Sequence, residues 1–76
     1  MKKYVQRMWR IYDVLFIDKE KAEQVEDGRE TVKEVFVGLD EGIDYDLTQV
    51  SSDFFGSWIF KTEIEAQAEV DEFNHN

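Results

Sequence analysis

From Trp58 onward, every second residue reads Trp58, Phe60, Thr62, Ile64, Ala66, Ala68 and Val70, and the residues between them, after Ile59, are Lys61, Glu63, Glu65, Gln67 and Glu69. Side chains of a strand alternate between two faces, so this spacing predicts a long half-buried strand over Ser57–Val70, apolar inside and acidic outside. A helix over Glu63–Phe73 is the competing assignment. Glu, Ala and Gln favour it, and Ala66, Val70 and Phe73 would share one face.

The other elements follow from the same kind of pattern. Tyr4–Ile17 is rich in aromatic and β-branched residues with no glycine or proline, and predicts a central strand covered on both sides. Asp18–Asp27 is polar. Asp18 could cap a short helix there, but Asp27-Gly28 is a tight-turn dipeptide, and the preferred reading is a hairpin with arms near Lys21–Glu26 and Arg29–Leu39. Within Arg29–Leu39, Thr31, Val35, Val37 and Leu39 alternate on one side, with Lys33 the exception, and Gly38 suggests a bulge or turn near the strand's end. Asp40–Asp46 is an acidic loop. In Asp46–Phe55, Leu47, Val50 and Phe54 fall at helical spacing between an N-cap aspartate and Gly56, predicting a short helix whose stripe covers the face of Trp58, Phe60 and Ile64. Glu72–Asn76 reads as a polar tail. The expected fold class is therefore α+β: one domain over residues 1–76, with a small antiparallel sheet of three or four strands and one short helix packed on one face.

Size sharpens this picture. A chain of 76 residues buries only about 60% of its unfolded surface, and with no cysteine and one histidine it has neither disulfides nor a structural zinc to help. Stability must come from packing its two Trp, three Tyr and six Phe, or from burial against a second copy. The longest apolar run, Val14–Ile17, is far too short to span a membrane. Two arginines interrupt the place where a signal peptide needs apolar residues, and the expected location is cytoplasmic.

Charge changes the functional reading more than the fold. Eighteen acids stand against nine bases, and the segment from Glu34 onward contains eleven acids and the single base Lys61. Such a field repels nucleic-acid phosphates and anionic membranes and attracts basic protein surfaces. Lys2, Lys3, Tyr4, Arg7, Trp9, Arg10 and Tyr12 do interleave cations with aromatics as a single-strand-binding groove would. The simpler account pairs these bases with acids on a neighbouring strand.

Catalytic chemistry is poorly supplied. His75 is close to the end of the sequence and there is no thiol nucleophile, so no triad is expected. The acids Asp40, Glu41, Asp44 and Asp46 do not match a calcium loop in either register, because Tyr45 or Gln49 falls where glycine is required. No cofactor or metal is expected. The candidate partner-binding residues are Glu63, Glu65, Glu69 and Asp71, which in a strand would stand about 6.5–7 Å apart between alternate positions. That spacing resembles the phosphates of one nucleic-acid strand. The functional expectation is a non-enzymatic acidic protein docking a basic partner, one form of which is an inhibitor imitating nucleic acid. The alternative is a homo-oligomeric assembly module using exposed aromatics and a sheet edge.

Overall fold

In the computed structural model, which describes residues 1–75, the chain forms an α+β domain with one five-stranded antiparallel sheet. The strands are β1 (Lys3–Ile11), β2 (Val14–Phe16), β3 (Lys33–Asp40), β4 (Val50–Ser51) and β5 (Ile59–Phe60), in spatial order β4-β2-β1-β3-β5. Two helices, α1 (Lys19–Glu23) and α2 (Glu63–His75), accompany them. The sheet thus has one or two strands more than expected, and its main helix is the C-terminal one. Asn76, the end of the expected polar tail, lies outside the described residues.

The Tyr4–Ile17 segment is two strands rather than one. Register pairs Ile11 with Val14 and Trp9 with Phe16, leaving Tyr12 and Asp13 as the two-residue turn. Tyr12 takes φ 53°, a conformation that such hairpin turns demand and that an aromatic residue disguises in sequence. Its strain is offset locally: the Tyr12 amide donates to Glu30 Oε2 at 2.6 Å, and its hydroxyl donates to Asp27 Oδ1 at 2.5 Å.

Asp18 caps a helix, overturning the preferred hairpin arm at Lys21–Glu26. Its carboxylate accepts from the Glu20 amide at 2.9 Å, and α1 buries Ala22 against Ile11 and Phe16. Gly28 does take a positive φ, 87°, but the turn there joins α1 to β3 instead of two paired strands. The third strand itself starts later than expected, at Lys33, and runs to Asp40.

Directly opposed residues share a face, so the register divides the core. One face carries Met8, Leu15, Val35, Val37 and Leu39, capped by Phe55 with Tyr45, Leu47, Val50 and Ile59 around it. Leu47, Val50 and Phe55 come from the segment expected as a helix, and that expectation is corrected here. Val50–Ser51 instead pairs with β2, and Ser52–Phe55 forms a single 3-10 turn capped by Ser51 Oγ. A helix over Asp46–Phe55 would have buried Phe54. As folded, Phe55 is buried and Phe54 is 66% exposed. The stripe also covers the sheet face opposite to the one expected, because Trp58 and Phe60 share their face with Gly38 and Phe36.

That second face is covered by α1 and α2. Helix α2 packs over β1, β3 and β5 with Ala66 and Val70 buried. Its last turn is tied to the first strand: the Lys3 amide donates to Asn74 Oδ1 at 2.7 Å, and Asn74 Nδ2 donates to the Lys3 carbonyl at 2.9 Å. The Lys3 ammonium is 2.8 Å from Asp40 and stacks over Trp58 at 4.5 Å and Phe73 at 5.1 Å. Thus the N-terminal bases do find acids on a neighbouring strand, Lys3 with Asp40 and Arg7 with Glu34. That strand is β3, not the C-terminal segment.

Candidate functional site

The expected acidic strand is largely a helix. Only Ile59–Phe60 of the Ser57–Val70 stretch joins the sheet, and the chain then bends into α2. Thr62 is the reason the helix starts there: its Oγ1 accepts from the Glu65 amide at 3.2 Å, and its carbonyl accepts from the Ala66 amide at 3.2 Å. Thr62-Glu63-Ile64-Glu65 carries the threonine-to-glutamate spacing of a capping box, a start signal present in the sequence. Downstream, Glu, Ala and Gln favour a helix, and Glu63 and Glu65 in its first turn suit the positive end of its dipole. Local propensity and the cap outweigh the period-two pattern.

The four candidate residues are consequently redistributed. At 3.6 residues per turn, Glu65 and Glu69 fall together along one exposed flank of the helix, beside the stripe of Ala66 and Val70 and about 6 Å apart along the axis. Glu72 continues the same ridge, a residue that the strand reading left out because it counted alternate positions only. Asp71 lies on the other flank, where its carboxylate accepts from Gln67 Nε2 at 2.8 Å. Glu63 begins the helix, displaced from the ridge. The evenly spaced row of carboxylates is therefore absent, and with it the geometric likeness to a phosphate backbone.

Glu65 and Glu69 have no ion pair among the described residues. Like charges at i,i+4 cost a few tenths of a kcal/mol, and acids beyond the first turn gain nothing from the helix dipole. Glu69 therefore adds little to the stability of its own helix. The solvent side of α2 also exposes Ile64, 83% accessible, beside Glu65.

Other acids are committed to holding loops. Asp46 accepts from the Thr48 hydroxyl at 2.8 Å and from its amide at 3.2 Å, which lowers its pKa. Asp27 is likewise lowered, first by the Tyr12 hydroxyl and then by the Arg29 amide. Tyr12 is pushed up to about 12 from 10.0, chiefly because its hydroxyl donates to that carboxylate. A raised tyrosine pKa favours the fold while the phenol is neutral. Its contribution is complete below 10.0 and disappears as pH climbs through about 12. Titration followed by phenolate absorbance should show a late component that vanishes in Tyr12→Phe. Retention of that component in the variant would show that the bond to Asp27 is not what delays ionisation.

Among the described residues no group of three or more His, Cys, Asp or Glu side chains is placed to hold a metal ion. No helix among them is long and apolar enough to cross a membrane. Compared with protein-family models, curated proteins and solved structures, the chain matches none.

Proposed function

We propose that this protein is a non-enzymatic acidic binding module that docks a basic protein surface through an exposed flank of α2. The observation carrying this reading is the Glu65–Glu69–Glu72 ridge, exposed along one flank of a helix that is anchored by Ala66 and Val70. A net charge of −9 steers a basic partner toward the molecule, and the ridge supplies the local complement. Asp71 and Glu63 flank it and contribute to the field more than to contact. The partner class is a basic protein surface in general. A helical ridge provides no strand-like phosphate register, so mimicry of nucleic acid is not part of the proposal.

The test separates the ridge from bulk charge. Glu65→Gln, Glu69→Gln and Glu72→Gln together change the net charge by the same amount as Glu20→Gln, Glu23→Gln and Glu41→Gln together. Binding to an immobilised arginine-rich helical peptide should fall about tenfold or more for the ridge triple, and clearly less for the control triple. Both complexes should weaken steeply with added salt. Equal losses in the two triples would reduce the ridge to ordinary surface charge. The second reading, self-assembly, is favoured by exposed Phe54 and Ile43. It predicts association that persists at high salt, since apolar burial drives it.

A further inference from the structure

The sheet carries a second, oppositely charged feature. Register sets Val50, Leu15, Arg10 and Lys33 in one row across four strands on a single face. The row begins in the apolar core and ends in two cations directly opposite each other. Like charges in that position oppose strand pairing, and a chain with twice as many acids as bases has ample means to neutralise them. It does not. Arg10, Lys33 and Lys61 form no ion pair among the described residues.

These three cations line a cleft of about 820 Å³, walled by Val35, Ile59 and Phe60. Three acids also border it, and two of them already have partners. Glu30 accepts the Tyr12 amide at 2.6 Å, and Glu34 pairs with Arg7 at 3.6 Å; Asp13 remains at the turn. Arg10 is held in place, its Nε donating to the Tyr12 carbonyl at 3.2 Å, which leaves its terminal nitrogens free to meet a ligand.

We propose that this cleft is a binding site for a small organic oxyanion, a phosphate or carboxylate carried on an apolar body. Arg10, Lys33 and Lys61 would hold the charged group, since guanidinium and ammonium donors make their strongest hydrogen bonds to such oxygens. Val35, Ile59 and Phe60 would cover the apolar part, as the walls of ligand clefts commonly do. An anion placed there also relieves the repulsion between Arg10 and Lys33. This site is separate from the α2 ridge and does not depend on it.

Amide chemical shifts of the full chain, followed during titration, test the idea. Phenyl phosphate and benzoate serve as the two anionic probes, and benzyl alcohol as the neutral control. Saturable shifts are expected at Lys33, Val35, Phe60 and Lys61 with at least one anion and not with the alcohol, and the stronger anion names the preferred group. Lys33→Gln combined with Lys61→Gln should weaken that anion about tenfold or more. Both lysines are exposed and Lys33→Gln removes a repulsion, so the variant keeps its fold, verified by an unchanged dispersion of resonances. No saturable response to either anion, an equal response to benzyl alcohol, or undiminished affinity in the variant would each overturn the proposal.

Discussion

Met8→Ala is expected to destabilise the domain by about 2–5 kcal/mol, the usual cost of truncating a fully buried methionine. Met8 is 0% exposed in the middle of the central strand, opposite Val35, and it packs with Leu15, Val37, Leu39 and Phe55. No neighbour on that face is free to collapse into the hole, because the strands on both sides are held by their ladders. A domain of this length has a total stability on the order of 4–11 kcal/mol at roughly 0.05–0.15 kcal/mol per residue. The variant should therefore lose a large share of its margin, read as a drop in urea midpoint at unchanged slope. A loss under about 1 kcal/mol would mean that this face is loosely packed and the division of the core given above is wrong.

Gly38→Val is expected to be the next most damaging change. Gly38 pairs regularly with Val5 inside β3, and its amide donates to the Trp58 carbonyl at 2.9 Å. It is no bulge or turn; it is glycine because the Trp58 ring lies against it. A Cβ built there would be 2.7 Å from Trp58 Cε3 and 3.4 Å from a Val70 methyl. The indole cannot simply swing away, since it also contacts Phe73 at 5.4 Å and Phe60 at 6.2 Å between ring centroids and lies under the Lys3 ammonium. Overpacking of this kind costs about 1–3 kcal/mol, sometimes more. The strand propensity and reduced chain entropy gained with valine return less than about 1 kcal/mol. Thermal unfolding and tryptophan fluorescence should show both a lower midpoint and a displaced, more solvated indole. Unaltered fluorescence with unaltered stability would contradict the close contact between ring and strand.

Strong local signals in the sequence survive in the fold. The aromatic and β-branched density of Tyr4–Ile17 does form the middle of the sheet and Asp18 does cap; the expected acidic loop is a loop only after Asp40, which still belongs to β3. Where two local signals compete, the pattern alone is ambiguous. After Ile59, Trp58–Val70 keeps period two, yet its alternating apolar residues after Phe60 are Ile64, two alanines and Val70, and the alanines bury too little surface to hold a strand in the core. The capping threonine and the helix formers behind it then prevail. Recognising Thr62…Glu65 as a start signal would have recovered α2, and with it the place of Glu72 beside Glu65 and Glu69.

Other features have no local signature at all. Nothing near Tyr12 advertises a positive φ; Asp27 and Glu30, distant in sequence, hold it. Val50–Ser51 leaves the helical spacing of its neighbours because β2 presents an unpaired edge for it to join. Gly38 stands in a strand because a tryptophan twenty residues later must lie flat on it. The order of hydrophobic and polar residues by itself determined the class of the fold, the central segment and the acidity of the C-terminal surface, since these depend on composition and short-range periodicity. Tertiary structure decided which face each segment covers, where the long strand turns back, and which charges stand together. Those outcomes depend on side chains that become neighbours only after the backbone has closed, and steric fit and hydrogen-bond satisfaction between distant residues carry more free energy there than local preference does.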